Sequence, residues 1–179
     1  MEFFELLESR SSCRRFSDAA VDEADLERII AAGRAAPVGS NRTEDLHFTL
    51  VRDRAVLDGF LPAMRRRMED RAAMADITEK VASARKVART PSFDPFYGAP
   101  AVVFVSHRAQ DVQPGIEFAN AAIAAYTMHL AATDLGLGSV LIWGATEAQW
   151  LYPDVSEAHL PDLPEGFATL MGLAIGYRA

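Results

Sequence analysis

This 179-residue chain has a single cysteine, only two lysines and no long run of apolar residues. Cys13 cannot form an internal disulfide, and without a second cysteine it does not indicate a metal site. The longest helix-like stretch without Asp, Glu, Lys or Arg covers 118–133, which is shorter than the roughly 20 apolar residues that cross a bilayer. The chain opens on the acidic segment "EFFELLES", which does not resemble a signal peptide. We therefore expect a soluble, cytoplasmic protein with no metal and no membrane partner.

Basic residues are also in the minority: 18 Lys and Arg stand against 25 Asp and Glu, which gives a formal net charge of −7. Because such a surface repels nucleic-acid phosphates and anionic membranes, neither is an expected partner. Half of the residues are hydrophobic, which is enough for a full core. Since no repeat or linker-like segment divides the sequence, residues 1–179 are expected to form a single domain.

The common catalytic motifs are missing as well. The sequence has no P-loop, and "GLGSVLIWG" (136–144) lacks the spacing of a dinucleotide-binding turn. The four histidines are scattered, and no serine lies in a nucleophile elbow. His129 lies in an apolar segment and is expected to be a core histidine with satisfied hydrogen bonds. An enzyme without its own nucleophile, base or metal needs a cofactor to carry its chemistry.

Hydrophobic spacing predicts alternating helices and strands. Helices are expected over 2–9, 21–37 and 115–136, and strands over 47–51, 99–106, 139–143 and 168–177. Residues 53–90 combine helical spacing with many charges. The strand over 99–106 is continuously apolar, which indicates burial on both faces. Gly136 is the expected C-cap glycine of the third helix.

That third helix carries no charged residue between Glu117 and Asp134 and is rich in alanine. A helix that is apolar on every side is expected to be buried on every side. A sheet covers one side in a domain of this size, and a second copy of the chain is the simplest cover for the other. A charged residue at Ala125, near the helix centre, is then expected to disrupt assembly.

The segment "RSSCRRF" (10–16) concentrates positive charge and hydroxyl groups directly after the first helix. Arginine presents a rigid fork of donors that matches phosphate oxygens, and serine hydroxyls add short donors nearby. A phosphate monoester is the simplest ligand for this grouping. The alternative is a surface loop whose arginines pair with Glu5, Glu8 or Asp18. Taken alone, the motif favours the surface loop slightly.

Several segments in the same order resemble the nitroreductase-type flavoproteins. The family's opening pattern, in which Arg, Ser and a basic residue precede Phe after a short helix, is matched at 10–16. Its later "FYGAP" (96–100), its long helix with an "LGLGS" turn (120–139) and its final "IGY" (175–177) are also present. The family's Ala-Pro-x-x-x-Asn and His-Phe pattern is matched at Ala36, Pro37, Asn41, His47 and Phe48.

The resemblance implies an α+β, nitroreductase-like fold with a central, mostly antiparallel sheet flanked by helices and a long apolar helix at the interface of a homodimer. It implies FMN as cofactor, bound at the subunit interface, and NADH or NADPH as the hydride donor. The acceptor is then a nitroaromatic, a quinone or a similar small molecule, and no side chain is assigned a catalytic role. The alternative is a flavin-binding protein that is not a reductase: a flavin carrier, a sensor or an enzyme that consumes reduced flavin.

The resemblance also implies roles for individual residues. Arg10 and Ser12 would hold the FMN phosphate and ribityl hydroxyls, with Ser11 in the same turn. Arg14 would approach the pyrimidine end of the flavin, near N1 and O2. A turn from the other subunit would reach the flavin with Pro37, Val38, Gly39 and the polar side chain of Asn41. The segment along the ring system would be Leu141, Ile142, Trp143 and Gly144.

Two departures from the family pattern stand out. Thr43, Glu44, Asp45 and Leu46 replace the family's Gln-Pro-Trp with one extra residue, which places two carboxylates near the expected mouth of the site. The family's acceptors therefore cannot be carried over. Many members also have an arginine beyond "GYP" that contacts the phosphate, and Arg178 is the candidate for that contact here.

Overall fold

The computed structural model describes residues 2–73, 90–110 and 113–179. The chain divides into two compact units. Unit 1 comprises Met1–Arg52, Phe96–Trp143 and Leu160–Ala179, and unit 2 comprises Asp53–Pro95 and Gly144–His159. The expectation of a single domain stays a prediction. Among the described residues, no helix has the length and apolar character needed to cross a membrane.

Unit 1 is built on a four-stranded sheet in the order β1-β2-β4-β3. Its strands are β1 (Leu46–Val51), β2 (Ala101–Arg108), β3 (Gly138–Ile142) and β4 (Phe167–Gly176), and every neighbouring pair is antiparallel. All four strands were expected from the sequence to within three residues at each end. The apolar strand β2 is buried from Ala101 to His107, which confirms its predicted burial.

The described residues of unit 1 also form the α-helices α1 (Phe3–Ser9), α2 (Glu23–Arg34) and α5 (Ile116–Asp134), and short 3-10 helices over Gly39–Asn41 and Thr43–Asp45. The Asp22 side chain caps α2 by accepting from the N–H of Ala24 at 3.1 Å, and acidic residues in the first turn suit the helix dipole. Helix α2 packs closely on α5, and Gly33 leaves the room for this approach: a Cβ added there would lie 2.7 Å from Cγ of Met128. Leu26, Met128 and Leu173 are fully buried in the core between these helices and the sheet.

Unit 2 contains α3 (Arg54–Asp58), α4 (Leu61–Ala73) and α6 (Gly144–Leu151). The Asp53 side chain caps α3 by accepting from the N–H of Ala55 at 2.9 Å. Helices α4 and α6 are joined by an ion pair between Arg67 and Glu147 in which both side chains are largely covered. The helical spacing over 53–90 is thus confirmed as far as residue 73, and 74–89 lie outside the described residues.

The environment of α5 corrects one expectation. Its centre is buried by the chain's own sheet and helices, and Ala125 is fully covered. Its other side is exposed, at 36% for Phe118, 42% for Ile123 and 40% for Tyr126. The proposal that a charge at Ala125 would test assembly was therefore wrong, because that charge would enter the core. Both sides of the helix are apolar, so the sequence does not show which one faces the core.

Candidate functional site

The segment 10–17, which follows α1, is held by backbone contacts on both sides. Ser12 forms a parallel bridge with Ser139 at the start of β3, and the N–H of Cys13 donates to the carbonyl of Ser139 at 2.9 Å. Phe16 forms an antiparallel bridge with Arg178. Ser12 and Arg178 therefore lie at the same end of unit 1.

The "LGLGS" turn allows this close approach. A Cβ at Gly138 would lie 2.7 Å from Sγ of Cys13 and 3.0 Å from Cγ of Arg178. The Cys13 side chain is 6% exposed, and its thiol donates to the carbonyl of Arg15 at 3.1 Å. Gly138 is thus required by packing, and position 13 accepts only a small side chain.

A buried histidine on α5 connects Arg10 to β3. Nη1 of Arg10 lies 3.2 Å from Nε2 of His129, and Nδ1 of His129 lies 2.5 Å from Oγ of Ser139. Because a guanidinium only donates, Nε2 must accept, and the ring proton is on Nδ1 and points to Ser139. His129 is 2% exposed and hydrogen-bonded on both nitrogens, as expected of a core histidine. Its bond to Arg10 was not expected.

Burial and the positive charges around His129 keep its imidazole neutral. Burial, followed by the positive charges of Arg10 and Arg178, lowers the pKa of His129 from 6.5 to about 4. Both guanidinium groups therefore lie near the ring. Within residues 2–73, 90–110 and 113–179, the ion pairs include none from Arg10, Arg14, Arg15 or Arg178 to a carboxylate. The structure thus does not show the pairing expected of a simple surface loop.

This arrangement fits an anionic group. Arg10 and Arg178 supply charge that no described carboxylate neutralises, and the exposed Ser11 and Ser12 lie in the same segment. Arg14 is also exposed. Charge-assisted donors of this kind bind phosphate oxygens well. The residues present are therefore suited to the phosphate of FMN.

The end of β3 presents an apolar surface. Leu141 and Trp143 are 37% and 38% exposed, while Ile142 between them is buried beside Gly172, as strand alternation requires. The Trp143 ring lies 6.0 Å from that of Phe118 on α5. Gly144 begins α6 in unit 2, where a Cβ would lie 3.2 Å from Cε of Met64.

The turn over 37–41 is fixed by a chain of hydrogen bonds. The N–H of Gly39 donates to Oδ1 of Asn120 at 3.0 Å, and Nδ2 of Asn120 lies 3.0 Å from Nε2 of His107. Nδ1 of His107 donates to the carbonyl of Arg108 at 2.7 Å, which leaves Nε2 as the acceptor. Ser40 and Asn41 both have positive φ, at 58° and 56°. The network holds this tight turn, and its Pro37 and Asn41 side chains are exposed while Val38 is half-buried.

The sequence profile of the Nitroreductase family matches residues 7–177. The chain belongs to this family. A nitroreductase with bound FMN from Bacteroides fragilis NCTC 9343 is 25% identical, with a TM-score of 0.75 over 100% of this chain and 89% of that chain. No curated protein sequence matches this chain.

Two further solved structures share the fold of this nitroreductase family member. A BluB-like flavoprotein from Clostridium difficile 630 is 20% identical, with a TM-score of 0.77 over 100% of this chain and 91% of that chain. An FMN-dependent nitroreductase from Clostridium difficile R20291 is 21% identical, with a TM-score of 0.71 over 98% of this chain and 90% of that chain. The α+β fold with an antiparallel sheet expected from the sequence is thereby confirmed.

The two carboxylates of the segment 43–46, which stands in place of the family's Gln-Pro-Trp, have different environments. Asp45 is fully buried and accepts from Nε of Arg42 at 2.8 Å, Nε of Arg108 at 3.3 Å and Nε2 of Gln110 at 2.6 Å. Glu44 is exposed. Only Glu44 is therefore available to a ligand, whereas the buried Asp45 carboxylate anchors the segment.

A cavity of about 380 Å³ lies next to the segment 43–46. Three of its lining residues are apolar and two carry opposite charges: the lining consists of Arg34, Val38, Thr43, Glu44, Leu46 and Phe48. Val38 belongs to the turn that the resemblance assigns to the cofactor. The replaced segment thus shapes a surface beside that turn.

The structure also identifies positioning residues that the sequence did not reveal. His107 and Asn120 support the turn over 37–41. The His129 side chain contacts Arg10, and the Ser139 carbonyl accepts from the N–H of Cys13. Each is a polar residue within an apolar strand or helix. A polar residue in an apolar element signals a buried hydrogen bond, but the sequence does not reveal which residue is its partner.

Proposed function

We propose that this protein is an FMN-dependent oxidoreductase of the nitroreductase type. The observation that carries the proposal is the pair of guanidinium groups, Arg10 and Arg178, beside the neutral His129 and the exposed Ser12. Such a concentration of unneutralised positive charge in an acidic protein suits a phosphate group. The family membership and the FMN bound in the Bacteroides fragilis nitroreductase support the same cofactor.

In this proposal Arg10, Ser12 and Arg178 bind the FMN phosphate, and Ser11 donates from the same turn. Arg14 would approach the pyrimidine end of the flavin, near N1 and O2, where its cation would stabilise negative charge. The exposed Leu141 and Trp143 would pack along the ring system, and Ile142 and Gly144 would contribute backbone. The turn of the second subunit adds Pro37, Val38, Gly39 and Asn41.

Bound FMN supplies the hydride and electron transfer that no side chain of this chain provides. NADH or NADPH is the proposed donor, and a nitroaromatic, a quinone or a similar small molecule is the proposed acceptor. Donor and acceptor bind in turn at the same site. The side chains of this chain bind the cofactor, orient it and exclude water, and Arg14 offsets the charge that reduction adds. The reaction is proposed to take place in the cytoplasm.

The proposed assembly is a homodimer with a site at each end of the interface. Phe118, Ile123 and Tyr126 form an exposed apolar stripe on α5, and Phe3 and Phe4 on α1 are 59% and 76% exposed. Exposed large apolar side chains grouped on a helix are typical of an interface, because their burial yields about 25 cal/mol per Å². Trp143 contacts Phe118 at the end of the stripe, which brings β3 to the edge of this surface.

Anaerobic titration of the purified protein tests the proposal. We expect a yellow protein whose flavin absorbance is bleached by NADH or NADPH and recovers on addition of a quinone or nitroaromatic. A colourless protein whose melting temperature does not respond to added FMN would contradict any flavin function. Bleaching by dithionite but not by either nicotinamide would instead support the flavin carrier, the sensor or the enzyme that consumes reduced flavin.

A further inference from the structure

His129 differs from the other buried histidine of unit 1 in what it contacts. His107 is bonded to the carbonyl of Arg108 and the amide of Asn120, which are both neutral. His129 is bonded to a guanidinium and a hydroxyl. A buried imidazole that accepts from an arginine restricts that arginine, because a long side chain otherwise samples many rotamers.

The second nitrogen of His129 makes this contact directional. Nδ1–H donates to Oγ of Ser139, so the lone pair is fixed on Nε2, opposite Arg10. The backbone carbonyl of Ser139 in turn accepts from the N–H of Cys13. One residue of β3 therefore sets the tautomer of His129 and also anchors the segment that carries Arg10.

We propose that His129 is a positioning residue for anion binding, whose Nε2 lone pair holds the Arg10 guanidinium beside Arg178 before the ligand arrives. This inference rests on the proposed function, since the anion is the phosphate of FMN. Arg10 uses one N–H group on His129 and keeps the others for phosphate oxygens. Because the side chain is already ordered, binding does not have to supply that ordering entropy.

The neutral state of His129 is necessary for this role. Among the described residues, the polar and aromatic groups recorded against the ring are Arg10, Arg178, Ser139 and the edge of Tyr126, and none of these is a carboxylate. A protonated ring would have no acceptor for Arg10 and would add a third positive charge. The low pKa of His129 therefore agrees with the geometry at neutral pH.

The test compares FMN with riboflavin, which has the same ring and ribityl chain but no phosphate. His129→Phe keeps a planar ring and removes the acceptor, so we expect FMN affinity to fall about tenfold, the loss of one charge-assisted contact. Riboflavin affinity should change much less. His129→Gln, which can place an oxygen near the position of Nε2, should restore most of the preference for FMN.

Thr133→Val is the matched control, because Thr133 lies one turn along α5 and its hydroxyl donates to the carbonyl of His129 at 2.9 Å. It should leave the ratio of FMN to riboflavin affinity unchanged. Equal weakening of both ligands in His129→Phe, or wild-type FMN affinity, would show that His129 only packs. Failure of the wild-type protein to bind FMN would instead contradict the proposed function.

If His129→Phe does not fold, Ser139→Ala decides the question. That variant keeps the imidazole but removes the hydroxyl that fixes its tautomer. We expect its preference for FMN over riboflavin to fall, in the same direction as for His129→Phe. An unchanged preference in a folded Ser139→Ala protein would overturn the proposal.

Discussion

Arg10 at the end of α1 and His129 in the middle of α5 are hydrogen-bonded at 3.2 Å, although 119 positions separate them in the sequence. The bond ties α1 to the helix that crosses the core. It also places a titratable group at the junction of three elements, since β3 supplies Ser139. Stability and anion binding are therefore expected to depend on the same imidazole.

Stability should fall as the pH drops from 6.5 to about 4. The unfolded chain protonates His129 near its ordinary pKa of 6.5, whereas the folded protein holds the ring neutral down to about 4. In that window the unfolded state binds more protons, so acid favours unfolding. Urea denaturation at pH 7.5 and pH 5 should show a smaller loss for His129→Gln than for the wild type. Parallel losses in both proteins would contradict the assignment.

Arg10 should matter for retaining the cofactor. Arg10→Ala removes a charge-assisted phosphate contact, which corresponds to about ten- to a hundredfold in FMN affinity. We expect loss of FMN on dialysis and a much smaller effect on riboflavin. Arg15→Ala, at an exposed arginine with no assigned role, is the control. Wild-type FMN affinity in Arg10→Ala would remove the phosphate assignment.

Arg14 should affect the reduction potential of the flavin more than the affinity for FMN. Arg14→Ala is expected to keep most of the FMN and to lower its reduction potential, because the reduced flavin loses a stabilising cation. A loss of about 1.4 kcal/mol corresponds to ~30 mV for a two-electron couple. Equilibration with a reference dye under anaerobic reduction measures the shift. An unchanged potential with strong FMN loss would assign Arg14 to binding instead.

The contact between Gly138 and Cys13 should behave as a steric pair. Gly138→Ala places a methyl group 2.7 Å from Sγ of Cys13, and overpacking of this kind costs about 1–3 kcal/mol of unfolding free energy. Cys13→Ala should remove part of that cost in the double variant, which thermal melting can measure. Cys13→Ser alone should bind FMN normally. Fully additive destabilisation would show that the two side-chain positions do not interact.

The exposed side of α5 gives the test of assembly. Ile123→Arg places a charge on the apolar stripe without entering the core, so we expect a folded monomer by analytical ultracentrifugation. Ala125→Arg should instead lower the yield of folded protein, since Ala125 is fully buried. Glu27→Arg, on the exposed side of α2, is the control. A dimer that persists in Ile123→Arg would place the interface elsewhere.

The sequence predicted much of the fold because its signals are local. The alternating and continuous apolar runs located all four strands, and the acidic first turn together with Pro37 bracketed α2. Helix α6 was missed because "GATEAQWL" is short and follows a strand directly. The sequence placed Asp45 at the mouth of the site because its charge was visible, whereas its partners Arg108 and Gln110 lie more than 60 positions away.

The candidate site was predictable to the extent that it follows a contiguous motif. The segment 10–16 and the turn over 37–41 were identified from family patterns. His129, Asn120 and His107 were not, because each acts through a partner from another element. Pairing across the fold depends on how elements pack, which periodicity does not specify. For the same reason the sequence analysis wrongly assigned Ala125 to the assembly face of α5, whereas it faces the core.

The bridge between Phe16 and Arg178 means that the cation pair is assembled from distant parts of the polypeptide. During translation, Arg10 leaves the ribosome long before Arg178, and His129 and Ser139 emerge in between. Closing such a long loop is slow compared with forming α1 or α2. A chain arrested before Arg178 can fold its early helices but lacks the second cation. Retention of flavin would therefore report that synthesis has passed Arg178, and pulse-labelled nascent chains would acquire it in a single step.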